Sequence, residues 1–236
     1  MIFLAPFHYG KHGASLAPHT ILGIRNGQGH YHKAVAEIPV HPASALETSK
    51  NIAKVLSNFE NQKYLVIGGD HSITEGVISA RSKKKPVHVV LFDAHTDDYS
   101  NNPHSKELEK HRPLHAGNWL ARGIKNGSIS GVTMFDGNRN ITPKKYRKPI
   151  PKNCPIHLSV DIDVLSVQEI GMATEYPEPG GYSLTELVEQ ISSLNLYGRS
   201  DVTADITEYD PTRDSTGVAG WCCAKIVGEL LTIIDA

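Results

Sequence analysis

Three acidic stretches of the 236-residue chain carry residue types that can do chemistry: GGDHS at Gly68 to Ser72, DAHTDD at Asp93 to Asp98, and SVDID at Ser159 to Asp163. Together they offer His71, Asp93, His95, Asp97, Asp161 and Asp163. Carboxylates held close repel one another and are driven toward protonation, and bound divalent cations are the simplest remedy. A set rich in carboxylates, with fewer imidazoles and no thiolate, suits hard ions such as Mn²⁺ better than a structural zinc site, with zinc as the alternative. The set is large enough for two ions. In an extended segment Asp93, His95 and Asp97 would alternate and fall on one side, a spacing suited to chelation.

Taken singly the motifs are weak. GGD is an ordinary glycine turn, a DxD after a strand is common, and one DxHxD is as readily a solvated loop. All three in this order, each at a strand end, define a site.

The elements before the motifs must position them. Tyr64 to Gly68, Val87 to Phe92 and Ile156 to Val160 contain no Lys, Arg, Asp or Glu, are mostly apolar and rich in β-branched residues, and have breakers nearby. They read as buried strands. In open parallel α/β sheets functional groups gather beyond the carboxyl ends of the strands, so three such strands set close together would converge the motifs.

The rest of the chain alternates in the same way. Met1 to Phe7 reads as a first strand, Pro18 to Arg25 as a short helix ended by Asn26-Gly27, and Ser44 to Phe59 as a helix with Ser44 as N-cap and Glu47 completing a capping box. Further helices are expected at Ser72 to Arg81, Ala116 to Lys125, Leu184 to Leu194 and Thr216 to Ile234, and strands at Gly131 to Phe135 and Val202 to Thr207. Asn101 to Pro113, polar and bracketed by prolines, reads as a loop on the rim of the site, and Asn138 to Pro155 as a basic, Pro-rich connector. One α/β domain over residues 1 to 236 is the expectation.

Composition narrows the function classes. With 24 Lys+Arg against 25 Asp+Glu and a formal net charge of -1, no electrostatic footprint for nucleic acid or an anionic membrane stands out. A small-molecule substrate is the expected partner, and homo-oligomerisation is left open. The short basic runs at Lys83 to Lys85 and Lys144 to Lys148 read as solvated loops. Cys154, Cys222 and Cys223 form neither an even set nor a CxxC pair, which argues against a disulfide framework and fits a reducing, cytoplasmic setting. The apolar start lacks a basic leader and meets His8, Lys11 and His12 early, so a strand is expected there rather than a signal peptide. The other histidines, among them His8, His12, His30 and His32, read as scattered surface residues, and Trp119 and Trp221 as core packing.

The three motifs in order resemble the ureohydrolase superfamily of arginase, agmatinase and formimidoylglutamase. GASLAPHTIL at Gly13 to Leu22 is similar to that family's N-terminal segment, and DITEYDPTRD at Asp205 to Asp214 to its late strand-end segment. The resemblance implies a three-layer α/β/α sandwich with a mainly parallel central sheet. It also implies a dinuclear Mn²⁺ centre that cleaves a C–N bond of a small guanidino, amidino or formimino compound by attack of a hydroxide shared between the ions. By motif position His71, Asp93, Asp97 and Asp161 look like ligands of one ion and Asp93, His95, Asp161 and Asp163 of the other. Asp97 would orient the nucleophile, Glu208 would pair with the guanidinium, and His115 would pass a proton to the leaving amine.

The chain departs from the family pattern at Ser166-Val167, where Asp-Pro is common, and at Asp98-Tyr99, so substrate contacts are not carried over. Two other readings stand beside this one: a mononuclear zinc deacetylase-like amide hydrolase, and a non-catalytic metal-binding relative.

Overall fold

The structure, a computed structural model, describes residues 1–9, 13–30, 34–99 and 103–236. Its centre is a sheet of seven strands, β1 (Ile2–Ala5), β2 (Val35–Glu37), β3 (Leu65–Gly68), β4 (Val87–Phe92), β5 (Ile129–Phe135), β6 (Ile156–Asp161) and β7 (Val202–Thr207). They run in the order β2-β1-β3-β7-β6-β4-β5. Every pairing is parallel. The expected parallel α/β sandwich is therefore the fold.

Alternation along the strands splits the core into two layers. Ile2, Leu4, Leu65, Ile67, Val90, Phe92, Leu158 and Val160 face one side, under α1 (Ala17–Gly27), α7 (Leu184–Ser193) and α8 (Val218–Asp235). Phe3, Ala5, Val66, Val87, Val89 and Leu91 face the other, under α2 (Ala45–Leu56), α3 (Ile73–Arg81) and α5 (Trp119–Lys125). Side chains alternate across a strand, so a strand covered on both faces must be apolar at nearly every position, which explains the uncharged runs in the sequence.

The placement of β7 could not be read from the sequence and matters most for the site. Inserted between β3 and β6, it makes β3, β7, β6 and β4 four consecutive neighbours, so the three motifs and the end of β7 open on one edge. Thr207 lies opposite Asp161 in register.

Local signals account for the helix ends. The Ser44 hydroxyl accepts from the Glu47 amide at 3.2 Å, as an N-cap should, but the Glu47 carboxylate turns to Lys50 instead of closing a capping box. A full box occurs at α7, between Ser183 and Glu186.

Other expectations are corrected. The segment read as a loop from Asn101 to Pro113 contains α4 (Pro103–His111). A proline at the first helical position loses no hydrogen bond, so Pro103 starts a helix where the sequence reading took it as a breaker. The short edge strand β2 and the turn α6 (Val167–Ile170) were not foreseen, because three or four residues carry too little periodicity. The Lys144 stretch is a 3-10 turn whose Tyr146 is buried and whose Lys145 pairs with Asp98. Trp119 is fully buried as expected, whereas Trp221 is 58% exposed. His8 is not a surface residue: it is buried, its Nδ1 accepts from the Ala14 amide and its Nε2 lies 3.1 Å from Glu175. His30 is exposed, and the readings of His12 and His32 lie outside the described residues. Cys222 and Cys223 pack in α8, both buried. Among the described residues no helix is long and apolar enough to cross a membrane.

Candidate metal centre and active site

His71 sits on the turn between β3 and α3 with no exposed surface. Its Nδ1 points at three carboxylates, 3.1 Å from Asp97 Oδ2, 3.2 Å from Asp161 Oδ2 and 3.3 Å from Asp93 Oδ2. Across the shared Asp93 lies a second group, in which His95 Nδ1 is 2.8 Å from Asp163 Oδ2 and 3.7 Å from Asp93 Oδ1. Donor atoms of His71, Asp93 and Asp97 lie within 4.8 Å of one another, and so do those of Asp93, His95 and Asp163. All six residues singled out in the sequence meet at one place.

The route to that convergence differs from the extended strand envisaged for Asp93 to Asp97. Bends at Ala94 and His95 and a positive φ of 47° at Asp97 wrap the segment around the end of β4. Backbone amides hold the wrap: Ala94 donates to Asp163 Oδ1 at 2.9 Å and His95 to Asp93 Oδ1 at 2.5 Å. Aspartate tolerates the left-handed region better than most residues, which suits it to Asp97.

The electrostatics are those of a cation site. Burial and the neighbouring charges of Asp97 and Asp163 hold Asp93 well above the usual carboxylate range, and burial with Asp163 and Asp93 does the same to Asp161. Burial disfavours the charged form of His71 and His95, yet the carboxylates outweigh it, raising His71 strongly and His95 to about 10. Protons gather where positive charge is wanted. His71 Nδ1 and Asp93 Oδ2 are also buried without a hydrogen-bond partner, and buried polar atoms are rarely left so. A divalent cation would satisfy both and replace the protons, so the donor set fits a metal centre.

Three supporting contacts were not read from the sequence. The buried indole of Trp119 donates from Nε1 to Asp97 Oδ2 at 2.7 Å, and its ring lies 4.9 Å from that of His71. The Glu178 carboxylate lies 3.4 Å from His95 Nε2. Behind His71, Ser159 and Asp205 continue a buried polar chain. Only the chain had a visible signal: His157, Ser159 and Asp161 alternate along β6, and Thr203, Asp205 and Thr207 along β7, placing polar residues on one face of strands otherwise apolar.

A cavity of about 430 Å³ opens over the centre, lined by Asp97, Asp161, Asp163, Glu208, His115 and the exposed Tyr176, among others. Glu208 is not a solvated strand-end residue. It is 8% exposed with a φ of 69°, its amide donates to Gly69 O at 2.7 Å, and its Oε1 accepts from the His71 amide at 2.6 Å. Burial with Asp161 and Asp70 nearby holds it well above the normal carboxylate range. His115 faces the cavity just before the short 3-10 turn Ala116–Asn118, and its Nε2 has no hydrogen-bond partner. Burial lowers its pKa.

With this geometry established, comparison with known proteins identifies the class. The model of the Arginase family matches residues 1–148 and 133–232, and the chain belongs to that family. Arginase 1, mitochondrial, of Arabidopsis thaliana is 29% identical over an alignment of 205 residues that covers 77% of this chain and 58% of that protein. The agmatinase of Bacillus subtilis is 29% identical over an alignment of 188 residues that covers 70% of this chain and 61% of that protein. The chain thus spans about three fifths of the length of these relatives. The solved structure of proclavaminate amidino hydrolase from Streptomyces clavuligerus superposes with a TM-score of 0.77 at 22% identity, covering 99% of this chain and 90% of that one.

Proposed function

We propose that the protein is a metal-dependent hydrolase that cleaves a C–N bond of a small guanidino, amidino or formimino compound. The observation that carries this reading is the meeting, in one cavity, of a carboxylate-imidazole cluster with Glu208 and His115. The similarity to an arginase and an agmatinase supports the guanidino class.

His71, Asp93, Asp97 and Asp161 would hold one ion and Asp93, His95, Asp161 and Asp163 the other, with Mn²⁺ favoured by the oxygen-rich donor set. A pair of divalent ions supplies Lewis acidity and makes water nucleophilic near neutral pH. Four Asp charges would balance two divalent ions, which leaves Glu208 as the buried anion for a cationic substrate. One Oε1 lone pair serves the His71 amide, but a carboxylate has about four acceptor positions, so the rest can take two guanidinium N–H groups and hold the carbon in place. The positive charge would also reverse the upward pKa shift of Glu208.

Asp97 would orient water and accept its proton, a role supported by the Trp119 indole that donates to its carboxylate. His115 stays neutral near neutrality because burial lowers its pKa, and Nε2 is free to relay a proton to the leaving amine.

Glu208→Gln keeps the shape and an acceptor for the His71 amide while removing the charge. A charge-assisted bidentate contact in a buried pocket is worth roughly 3–4 kcal/mol, so kcat/KM toward a guanidino substrate should fall by about 10²–10³. The test is urea or ammonia release from a panel of guanidino, amidino and formimino compounds by Mn²⁺-loaded protein. Turnover of at least one compound, lost in Glu208→Gln, is the expected result. No turnover across the panel, with the metal bound, would favour the non-catalytic relative, and one zinc ion per chain the deacetylase-like reading.

A further inference from the structure

We infer that Asp205, acting through Ser159, selects the ring nitrogen of His71 that is left free for a metal ion, and so is a positioning residue of the centre. The inference rests on the metal reading above and adds to it a group that touches neither ion nor substrate.

The direction of the hydrogen bonds carries the argument. Ser159 Oγ donates to Asp205 Oδ1 at 2.7 Å. A hydroxyl has a single proton, so once it is committed to the carboxylate the same oxygen can only accept from its other neighbour. That neighbour is His71 Nε2, at 2.8 Å. His71 must then carry a hydrogen on Nε2, and in the neutral ring its lone pair is on Nδ1, the atom that faces Asp93, Asp97 and Asp161 at 3.1–3.3 Å. A ring rotated or protonated the other way would present a hydrogen to the ion.

Asp205 is built to remain an acceptor. Its Oδ2 takes the Thr74 hydroxyl at 2.7 Å and lies 3.0 Å from His157 Nε2, while His157 Nδ1 lies 3.0 Å from Thr203 Oγ1. His71, Thr74, His157, Ser159, Thr203 and Asp205 are all 0% exposed. Among the described residues the hydrogen-bond partner of His71 Nε2 is Ser159 alone, backed by Asp205, whereas the far nitrogen of His95 looks toward Glu178 at the cavity wall. Groups standing behind a ligating imidazole typically change metal affinity 10- to 100-fold when removed.

The experiment is Mn²⁺ binding, measured by calorimetry in the absence of substrate, on the wild type, Ser159→Ala and Asp205→Asn, with thermal unfolding of each metal-free protein beside it. The expected result is two binding events in the wild type, with one of them weakened about 10- to 100-fold in both variants and the other unchanged. A structural role alone would lower the melting temperature of the metal-free variants and leave both affinities intact, which would overturn the inference. If Asp205→Asn does not fold, Ser159→Ala decides, since it removes one oxygen and leaves Asp205 held by Thr74 and His157. A wild type that binds no ion would overturn the metal reading itself and this inference with it.

Discussion

Asp161→Asn combined with Asp163→Asn leaves a folded chain that binds no pair of ions and turns over guanidino substrates at least about 10⁴-fold more slowly. Asparagine keeps the oxygen that Asp161 offers to the Asp163 amide at 2.9 Å and the one that Asp163 offers to Ala94, so the strand end retains its hydrogen bonds to these two backbone amides. What is lost is two of four anionic charges, and with them about half of the attraction for two divalent cations. Lewis-acid activation of water contributes several kcal/mol to such reactions, and a 10⁴-fold loss is about 5.5 kcal/mol. Steady-state assay of the double variant beside circular dichroism checks both halves. A variant that keeps a tenth of the wild-type rate would show that these carboxylates do not form the centre.

The second large effect is on stability and has the opposite sign in the metal-free state. Asp93, Asp161 and Glu208 are held well above their ordinary range by burial and by neighbouring carboxylates, and His71 and His95 by the surrounding carboxylates. A group whose pKa is higher folded than unfolded contributes stability that is complete below its unfolded value and is lost as pH rises through the folded one. All five act in that direction. In the metal-free protein their contribution should therefore decline from about pH 4, where unfolded carboxylates titrate, upward past neutrality toward the value of about 10 for His95.

Divalent ions reverse the loss by taking the place of the protons. At a hundredfold excess over Kd each site adds about 2.7 kcal/mol, so two sites should raise Tm by about 10–20 °C in a chain of 236 residues. The increment should grow with pH, because binding displaces protons. Asp161→Asn in the metal-free protein should raise Tm by relieving the repulsion, by an amount on the order of 1 kcal/mol per pKa unit released. Thermal scans from about pH 5 to 9, with and without Mn²⁺, make the comparison. A metal-independent Tm across that range would contradict this account, as would an Asp161→Asn protein less stable than the metal-free wild type.

How much of this was legible in the sequence differs from residue to residue. The six proposed ligands were visible because each follows an uncharged strand, and burying a carboxylate at such a place needs a compensating charge. Their assembly required the parallel sheet, which alternation predicted, and also the insertion of β7 between β3 and β6, which no local pattern encodes. Glu208 was read through resemblance alone, and its burial and left-handed backbone depend on the contact of its amide with Gly69 across that strand order.

Trp119 was read as core, which it is, but the indole N–H that fixes Asp97 depends on how α5 packs over the sheet, a long-range property. The Ser159 and Asp205 chain had left a trace in polar alternation, obscured by the apolar residues between. Pro103 misled because the same residue ends some elements and begins others.

The most direct test of the central claim is the metal content of the purified wild-type protein after Mn²⁺ loading and removal of free ion, by elemental analysis against protein concentration. About two ions per chain is the result the geometry around Asp93 predicts. One ion would contradict the dinuclear centre, and none would contradict the metal chemistry altogether.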